Sequence, residues 1–366
     1  MATYTSIHLA ERPTDLIVPG KTFAAKQQAI PDVSSLKDGE VLFKTLYLSL
    51  DPAMRGWLND RRSYVPPVQI GEKMRGIGIG IVKASKADKF PVGTFVSAMC
   101  GWAEYAVVGG DQLQSLDLPN GAVPTDSLGV LGLTGLTAYF GMLDVGKVKE
   151  GDFVVVSGAA GATGSVAAQV AKLKGAKVMG LAGDDSKVRW LKEEMGLDEA
   201  LNYKDLDFTK KFKEATKGFI DVYFDNGKDY PRGSQRNKLM NLVGGEILDL
   251  ALTRAKPHAR FIMCGAISQY NTKEPYALKV TVYCFLLHDI LVNTGQNYMQ
   301  MISMRIRMEG FIIFDYEKQF PEARQQLAQW LAEGKLKRKE TIVTGGLAKA
   351  EQALQGLFKG VNTGKW

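Results

Sequence analysis

The stretch "FVVVSGAAGATGSVAAQVAKLKGAKVMGLAGDDSK", residues 153–187, decides how the chain is read. It opens as an unbroken apolar run, the pattern of a strand buried on both faces. At Ser157 the run gives way to small residues, and Ala159-x-Gly161-x-x-Gly164 leads into "GSVAAQVAKLKG", which reads as a helix. Small residues here permit a tight turn and close packing of helix on strand. They also let backbone N–H groups at a helix N-terminus approach a pyrophosphate. The strand "AKVMGLAG" follows within about thirty residues, so strand, turn, helix and strand occur in the order of a dinucleotide-binding βαβ unit. Gly161, Ala162, Thr163 and Gly164, with Ala159 before them, are the candidate pyrophosphate residues.

Downstream, the helix pattern "DSKVRWLKEEMG", the short strand "EALNY" and the apolar strand "DVYFDN" continue the alternation, which predicts a parallel sheet. Upstream the pattern differs. From about residue 39 to 118, short runs such as "GEVLFKTLYLSL", "GIGIGIVKAS", "GTFVSAM" and "AEYAVV" are separated by Gly, Pro and Asp, as in an all-β, barrel-like unit. From about 126 the stretch "TDSLGVLGLTGLTAYFGMLDVG" reads as a helix with an Asp/Ser start. Near the C-terminus "PEARQQLAQWLAEGKL" and "AKAEQALQGLFKG" are amphipathic helices.

A chain of 366 residues is long enough for two domains. Its 45% apolar and 23% charged residues are ordinary globular composition. The net charge of +7 is spread along the chain without an aromatic-interleaved basic stripe, which argues against nucleic acid and fits an anionic cofactor. Three cysteines, Cys100, Cys264 and Cys284, suit a reducing compartment rather than a disulfide framework. The N-terminal residues show no apolar signal region, and "VTVYCFLLHDILV" is too short and interrupted to span a bilayer. The expectation is a cytoplasmic protein without membrane attachment.

The end of the second strand bears on the choice between NAD and NADP. An acid there would hold the ribose hydroxyls and repel a 2′-phosphate. Ala182 and Gly183 are small and neutral, and Lys187 lies in the first turn of the next helix, where it can reach a phosphate. Asp184 stands at the spacing of an NAD acid, but "DDSK" also reads as a helix N-cap. NADP is the favoured cofactor. The histidines His8, His258 and His288 form no cluster with the cysteines at metal-ligand spacing, and Ser157 and Ser165 have no histidine partner in view. Hydride transfer, with the chemistry residing in the cofactor, remains.

The segments "LSLDPAMRGW", "SYVPPVQIGEKMRGIGIG", "LGLTGLTAYFGM", "SGAAGATGSVAAQVAKLKG", "GAISQYN" and "MRIRMEGFIIFDY" resemble the zinc-independent medium-chain dehydrogenases/reductases, and within them the prostaglandin reductase and alkenal double-bond reductase group. The resemblance implies a Rossmann doubly wound parallel sheet plus a GroES-like β-barrel catalytic domain, usually in a homodimer. Its boundaries here would be 1–125 for the N-terminal part of the catalytic domain, 126–314 for the NADP-binding domain and 315–366 for a return to the catalytic domain. Zinc-dependent relatives carry a His-Glu pair where this chain has Arg75-Gly76.

The activity implied is NADPH-dependent reduction of the C=C bond of an α,β-unsaturated aldehyde or ketone. Hydride would go to the β-carbon, a donor would hold the enolate oxygen, and a proton would reach the α-carbon. Tyr270 of "GAISQYN" matches the tyrosine beside the nicotinamide ribose; it could donate to the enolate directly or through the ribose hydroxyl, or simply cap the strand "RFIMCG". Tyr64 of "RSYVPP" would line the substrate pocket or only pack. Lys187 and Tyr203 match contacts on the 2′-phosphate and adenine side. Thr134, Gly135 and Thr137 lie near the nicotinamide in relatives, and Asn226, Gly265 and Asn362 match cofactor contacts. A quinone oxidoreductase of the same superfamily and a non-catalytic NADP-binding protein are the alternatives.

The chain departs from that group at two insertions, residues 227–242 and 280–296, and in stopping at "NTGKW", where relatives continue as a final strand. The first follows the carboxyl end of a strand, the cofactor side of such a sheet. It reads as a lid, as a solvated surface loop, or, together with the second, as translated introns, since deleting each restores an unbroken family motif. Sequencing the transcript across both seams separates the third reading from the others.

Overall fold

The structure, a computed structural model, describes residues 2–116, 118–227, 246–265, 267, 270–271, 297 and 299–366. Apart from Gly227, the two insertions lie outside the described residues. The chain divides into two compact units. One comprises residues 1–134, 321–334 and 339–366, the other residues 135–320 and 335–338.

The first unit begins with an antiparallel pair, β1 (Thr3–Leu9) and β2 (Phe23–Ala29). A five-stranded antiparallel sheet follows, built from β3 (Glu40–Leu48), β4 (Gly78–Ser85), β5 (Phe95–Ala98), β6 (Tyr105–Gly109) and β7 (Leu113–Ser115) in the order β6-β3-β4-β5-β7. The short helix α1 (Ala53–Gly56) follows β3. Alternation along the strands places Val41, Phe43, Val82, Val96 and Val108 on one covered face with Phe90. This is the curled half-barrel expected of a GroES-like unit. A close approach explains Gly80: a Cβ there would stand 2.1 Å from the Lys44 carbonyl oxygen.

Residues 125–146 are not one continuous helix. A tight turn over Pro124–Leu128 comes first, then α2 (Leu133–Phe140), then a widened turn closed by Gly146 N–H donating to Gly141 O. Glycine explains the break. Gly129 adopts φ −111°, ψ −111°, outside helical space. A Cβ on Gly132 would lie 2.4 Å from the Ser127 carbonyl oxygen.

The second unit holds a six-stranded parallel sheet. Along the chain run β8 (Phe153–Val156), α3 (Ala162–Leu173), β9 (Lys177–Ala182), α4 (Asp185–Glu193), β10 (Glu199–Asn202), α5 (Phe208–Ala215), β11 (Ile220–Asp225), α6 (Glu246–Leu252), β12 (Ala255–Met263), α7 (Met299–Ser303) and β13 (Arg307–Gly310). The strand order β10-β9-β8-β11-β12-β13 is that of the Rossmann fold, reversing direction between β8 and β11. Val155, Leu181, Tyr223 and Phe261 from the sheet share a core with Phe208 and Phe212 of α5 and Ile247, Ala251 and Leu252 of α6. Phe212 is fully buried there, and truncating it to Ala is worth about 3–5 kcal/mol of stability. Two helices complete the chain, α8 (Phe320–Ala332) and α9 (Ala350–Lys359). The apolar stripe of α9, Ala350, Ala353, Leu354 and Leu357, packs with Ile7, Leu9 and Met54 of the first unit, and Gly360 ends it at φ 67°.

Candidate functional site

At the carboxyl end of β8 the chain turns through Ser157 and Gly158 before α3 begins. Gly158 has φ 58°, and a Cβ on it would lie 2.6 Å from the Asn226 carbonyl oxygen, so only glycine fits. The Ala159 N–H donates to Leu181 O and the Gly161 N–H to Gly158 O, each over 3.0 Å, which closes the turn. Gly161 is the N-cap of α3, and no side chain caps it. The N–H groups of Ala162, Thr163 and Gly164 therefore begin a helix whose own side chains offer them no acceptor. Two glycines supply the space. A Cβ on Gly161 would meet only Gly158 O, at 3.3 Å, whereas one on Gly164 would be driven to 2.3 Å from the same atom. Gly161 keeps the outside of the turn open, and Gly164 lets the helix pack on it. A pyrophosphate fits this cradle.

At the end of β9 the side chains are arranged around Gly183. A Cβ there would lie 2.5 Å from Tyr203 Oη and 3.4 Å from Lys204 Cε. Tyr203 is fixed from behind, its N–H donating to Ala182 O over 3.0 Å. Asp184 is the N-cap of α4: one carboxylate oxygen accepts from the Lys187 N–H over 2.9 Å and from the Ser186 hydroxyl over 2.6 Å. Its other oxygen stands 3.7 Å from the Lys187 ammonium. Burial pulls the Asp184 carboxyl upward, but the Ser186 hydroxyl, the Lys187 N–H and the charges of Lys187 and Lys204 outweigh it and hold it below the usual range. Burial lowers the Lys187 ammonium, against the opposing pull of Asp184. Lys204 and Gly183 were not among the candidates; the signal for Lys204 was its place directly after Tyr203.

The third group lies where β8, β11 and β12 end. The Cys264 and Gly265 N–H groups both donate to Asp225 O over 3.0 Å. The Ser157 hydroxyl donates to Asp225 Oδ1 and accepts from the Asn226 N–H, each over 2.9 Å. Gly265 brings Tyr270 and Asn226 together: a Cβ there would be 3.4 Å from Tyr270 Oη and 4.0 Å from Asn226 Oδ1. Ser157, set aside as a nucleophile for want of a histidine, is thus a hinge pin of the site. Ala159, Gly161, Ala162, Thr163, Gly164, Lys187, Tyr203, Asn226, Gly265 and Tyr270 all belong to the carboxyl edge of the parallel sheet or the turns leaving it.

Of the remaining candidates, Tyr64, Thr134 and Asn362 lie in the first unit, and Gly135 and Thr137 at the start of the second. Tyr64 is half-exposed and its hydroxyl accepts from Trp57 Nε1 over 3.1 Å. The Thr134 hydroxyl donates to Gly129 O over 2.9 Å, and the Asn362 carboxamide donates to Gly364 O over 2.9 Å. Gly135 and Thr137 lie in α2. At Arg75-Gly76 the packing leaves no place for a metal-binding side chain: a Cβ on Gly76 would meet Trp102 Cδ1 at 2.9 Å, and the Arg75 guanidinium donates to Pro66 O over 2.5 Å. Among the described residues no group of three or more His, Cys, Asp or Glu side chains could hold a metal ion, and no helix is long and apolar enough to cross a membrane.

Two family profiles match, one described as the N-terminal domain of oxidoreductase over residues 5–116 and one as a zinc-binding dehydrogenase over residues 162–329. The chain is similar to the NADPH-dependent curcumin reductase of Escherichia coli (strain K12), 37% identical over 363 residues, which are 98% of this chain and 94% of that protein. It is also similar to the NADP(+)-dependent 2-alkenal reductase of Nicotiana tabacum, 36% identical over 332 residues, 89% of this chain and 86% of that one. Among solved structures, that of CurA from Vibrio vulnificus in complex with NADPH matches with a TM-score of 0.82 and 37% identity, covering 99% of this chain and 97% of that one.

Proposed function

The chain belongs to the zinc-independent medium-chain dehydrogenases/reductases, and on that premise we propose that it reduces the C=C bond of α,β-unsaturated aldehydes and ketones with NADPH. The observation that carries this reading is the meeting of Tyr270 Oη and Asn226 Oδ1 beside Gly265, 3.4 and 4.0 Å from the place a Cβ on that residue would take. Bound there, NADPH supplies a hydride to the β-carbon of the substrate.

The protein's own residues supply binding and charge stabilisation. The N–H groups of Ala162, Thr163 and Gly164 hold the pyrophosphate. Lys187 and Lys204 hold the 2′-phosphate as point charges on flexible stems, with Tyr203 beside them. Asn226, fixed through Ser157, orients the nicotinamide end. As hydride arrives, charge collects on the substrate carbonyl oxygen. The Tyr270 phenol donates to it, directly or through a ribose hydroxyl, and the enolate is then protonated at its α-carbon. Tyr64 lines the substrate side.

The experiment is to follow NADPH oxidation by the purified full chain with a panel of 2-alkenals, enones and quinones. Turnover of enals and enones supports the reading. Turnover of quinones alone would move the chain to the quinone reductases, and no turnover with any of them would contradict catalysis.

A further inference from the structure

A groove of about 630 Å³ is lined, within the first unit alone, by residues 45–50, residues 340–347 and Trp366 among others. One wall is a sheet edge. β3 pairs with β4 on one side as far as Leu48, and with β6 on the other only as far as Lys44, beyond which the Thr45 N–H donates to Glu104 O over 2.9 Å. Among the described residues no strand covers that second edge from Leu46 to Ser49. It is met again at Leu50, whose N–H donates to Trp366 O over 3.3 Å. Lys365, next to Trp366, is tied to the other wall: it bridges Glu340 in parallel, the Thr341 N–H donates to Lys365 O over 2.7 Å, and the Lys365 N–H donates to Lys339 O over 2.9 Å. Past that pairing, Ile342 and Val343 belong to no strand and are 59% and 41% exposed; Leu46 and Tyr47 of β3 are 47% and 41% exposed.

From this arrangement we propose that the groove is a docking site for one β-strand of another polypeptide, an extended segment of alternating apolar and basic residues laid between β3 and residues 341–344. None of the lining residues is a candidate for cofactor or substrate, so the site stands apart from the reduction. Three arguments identify the occupant. A sheet edge presents N–H and C=O groups at strand spacing, and a further strand supplies partners that a small apolar ligand lacks. The pairing of Lys365 and Trp366 with both walls sets its direction, parallel to residues 341–344 and antiparallel to β3. At ~3.3 Å per residue the open edge takes about five residues. The alternation follows from the floor. Leu48, Leu347 and Trp366 pack against the core that holds Leu50 and Leu354, so inward side chains of the added strand extend an apolar cluster and outward ones meet water. The charge follows from the rim. Lys365 is already paired with Asp51 over 2.5 Å, whereas Glu104 and Glu340 line the groove without a cation partner among the described residues, against Lys349 alone of opposite sign. Basic residues on the outward face complement the two carboxylates.

The test is fluorescence anisotropy of labelled acetyl-Val-Lys-Val-Lys-Val-amide titrated with the full chain. The control peptides replace each lysine by glutamate, place the valines side by side, or carry N-methyl groups that block backbone donation along one edge. Leu46→Lys and Ile342→Lys change exposed wall positions and keep the fold, which circular dichroism checks. The alternating basic peptide is expected to bind saturably. Each control peptide and each variant is expected to bind about tenfold more weakly or worse. Absence of saturable binding by the alternating peptide overturns the proposal. Equal binding of the side-by-side peptide overturns it in favour of general apolar adhesion, and equal binding of the N-methylated one in favour of an apolar pocket. Wild-type self-association that Ile342→Lys abolishes, with no binding of the peptide, would assign the groove to a second copy of this chain.

Discussion

The backbone N–H of Asn226 donates to the hydroxyl of Ser157 over 2.9 Å, joining the ends of β8 and β11 at the point where the strand order reverses. The same hydroxyl donates to Asp225 Oδ1 over 2.9 Å, so it is both acceptor and donor. Ser157→Ala removes both bonds: the Asn226 N–H loses its acceptor, and Asp225 Oδ1, which the Tyr223 hydroxyl still reaches at 3.5 Å, loses a closer donor. The expected cost is about 1–3 kcal/mol in denaturant unfolding. A loss of affinity for NADP+ should accompany it in calorimetry, because Asn226 is no longer held.

The glycine turn predicts an order of severity. Gly164→Ala forces a Cβ to within 2.3 Å of a backbone oxygen that no side-chain rotation relieves. Gly161→Ala meets the same atom at 3.3 Å and faces outward. The first should cost both melting temperature and NADP+ affinity. The second should leave the fold near its original stability and weaken NADP+ by filling the approach to the helix N-terminus. Thermal melts with and without NADP+ distinguish the two.

Tyr270→Phe removes one donor and keeps the ring. If the phenol stabilises the enolate, kcat for 2-alkenal reduction should fall by about 100-fold while the Kd for NADP+ changes little. A variant with unchanged kcat, or one whose only defect is in NADP+ binding, would assign Tyr270 to packing or cofactor support instead.

Cys264 predicts a pH effect. Burial around the sulfur, with the Asp225 carboxylate adding to it, pushes the thiol up to about 12 from an ordinary 9.0. Between those values the unfolded chain releases this proton and the folded chain keeps it. The unfolding free energy should therefore fall as pH rises through that window. Cys264→Ala should show a shallower fall than the wild type over the same range, since the other alkaline groups are common to both. At neutral pH this thiol should react with alkylating reagents more slowly than an ordinary free thiol, because so little of it is thiolate.

Much of the second unit was legible because its signals are local. The apolar run of β8, the small residues after it and the Asp184 cap are each carried by neighbouring residues. The parallel sheet followed from the alternation of strands and helices. What the sequence left unread depends on contacts made across the fold. Ser157 and Asn226 lie 69 residues apart, and only the adjacency of β8 and β11 brings them together. Lys204 comes up to Gly183 only once β10 is laid beside β9. The helix expected over 125–146 failed at Gly129 and Gly132, where apolar periodicity continued but backbone packing required a break. The β1–β2 pair was not anticipated either. Most of β2 is exposed and its sequence, "FAAKQQA", has little strand character of its own.

Hydride delivery to the β-carbon of an enone or enal can be followed by isotope tracing. The full chain would be incubated with a 2-alkenal and NADPH deuterated at the nicotinamide C4 position, and the product read by NMR. The expected product is a saturated aldehyde carrying deuterium at C3 and a solvent-derived proton at C2. An allylic alcohol carrying deuterium at C1 would contradict it, since that product comes from attack on the carbonyl carbon.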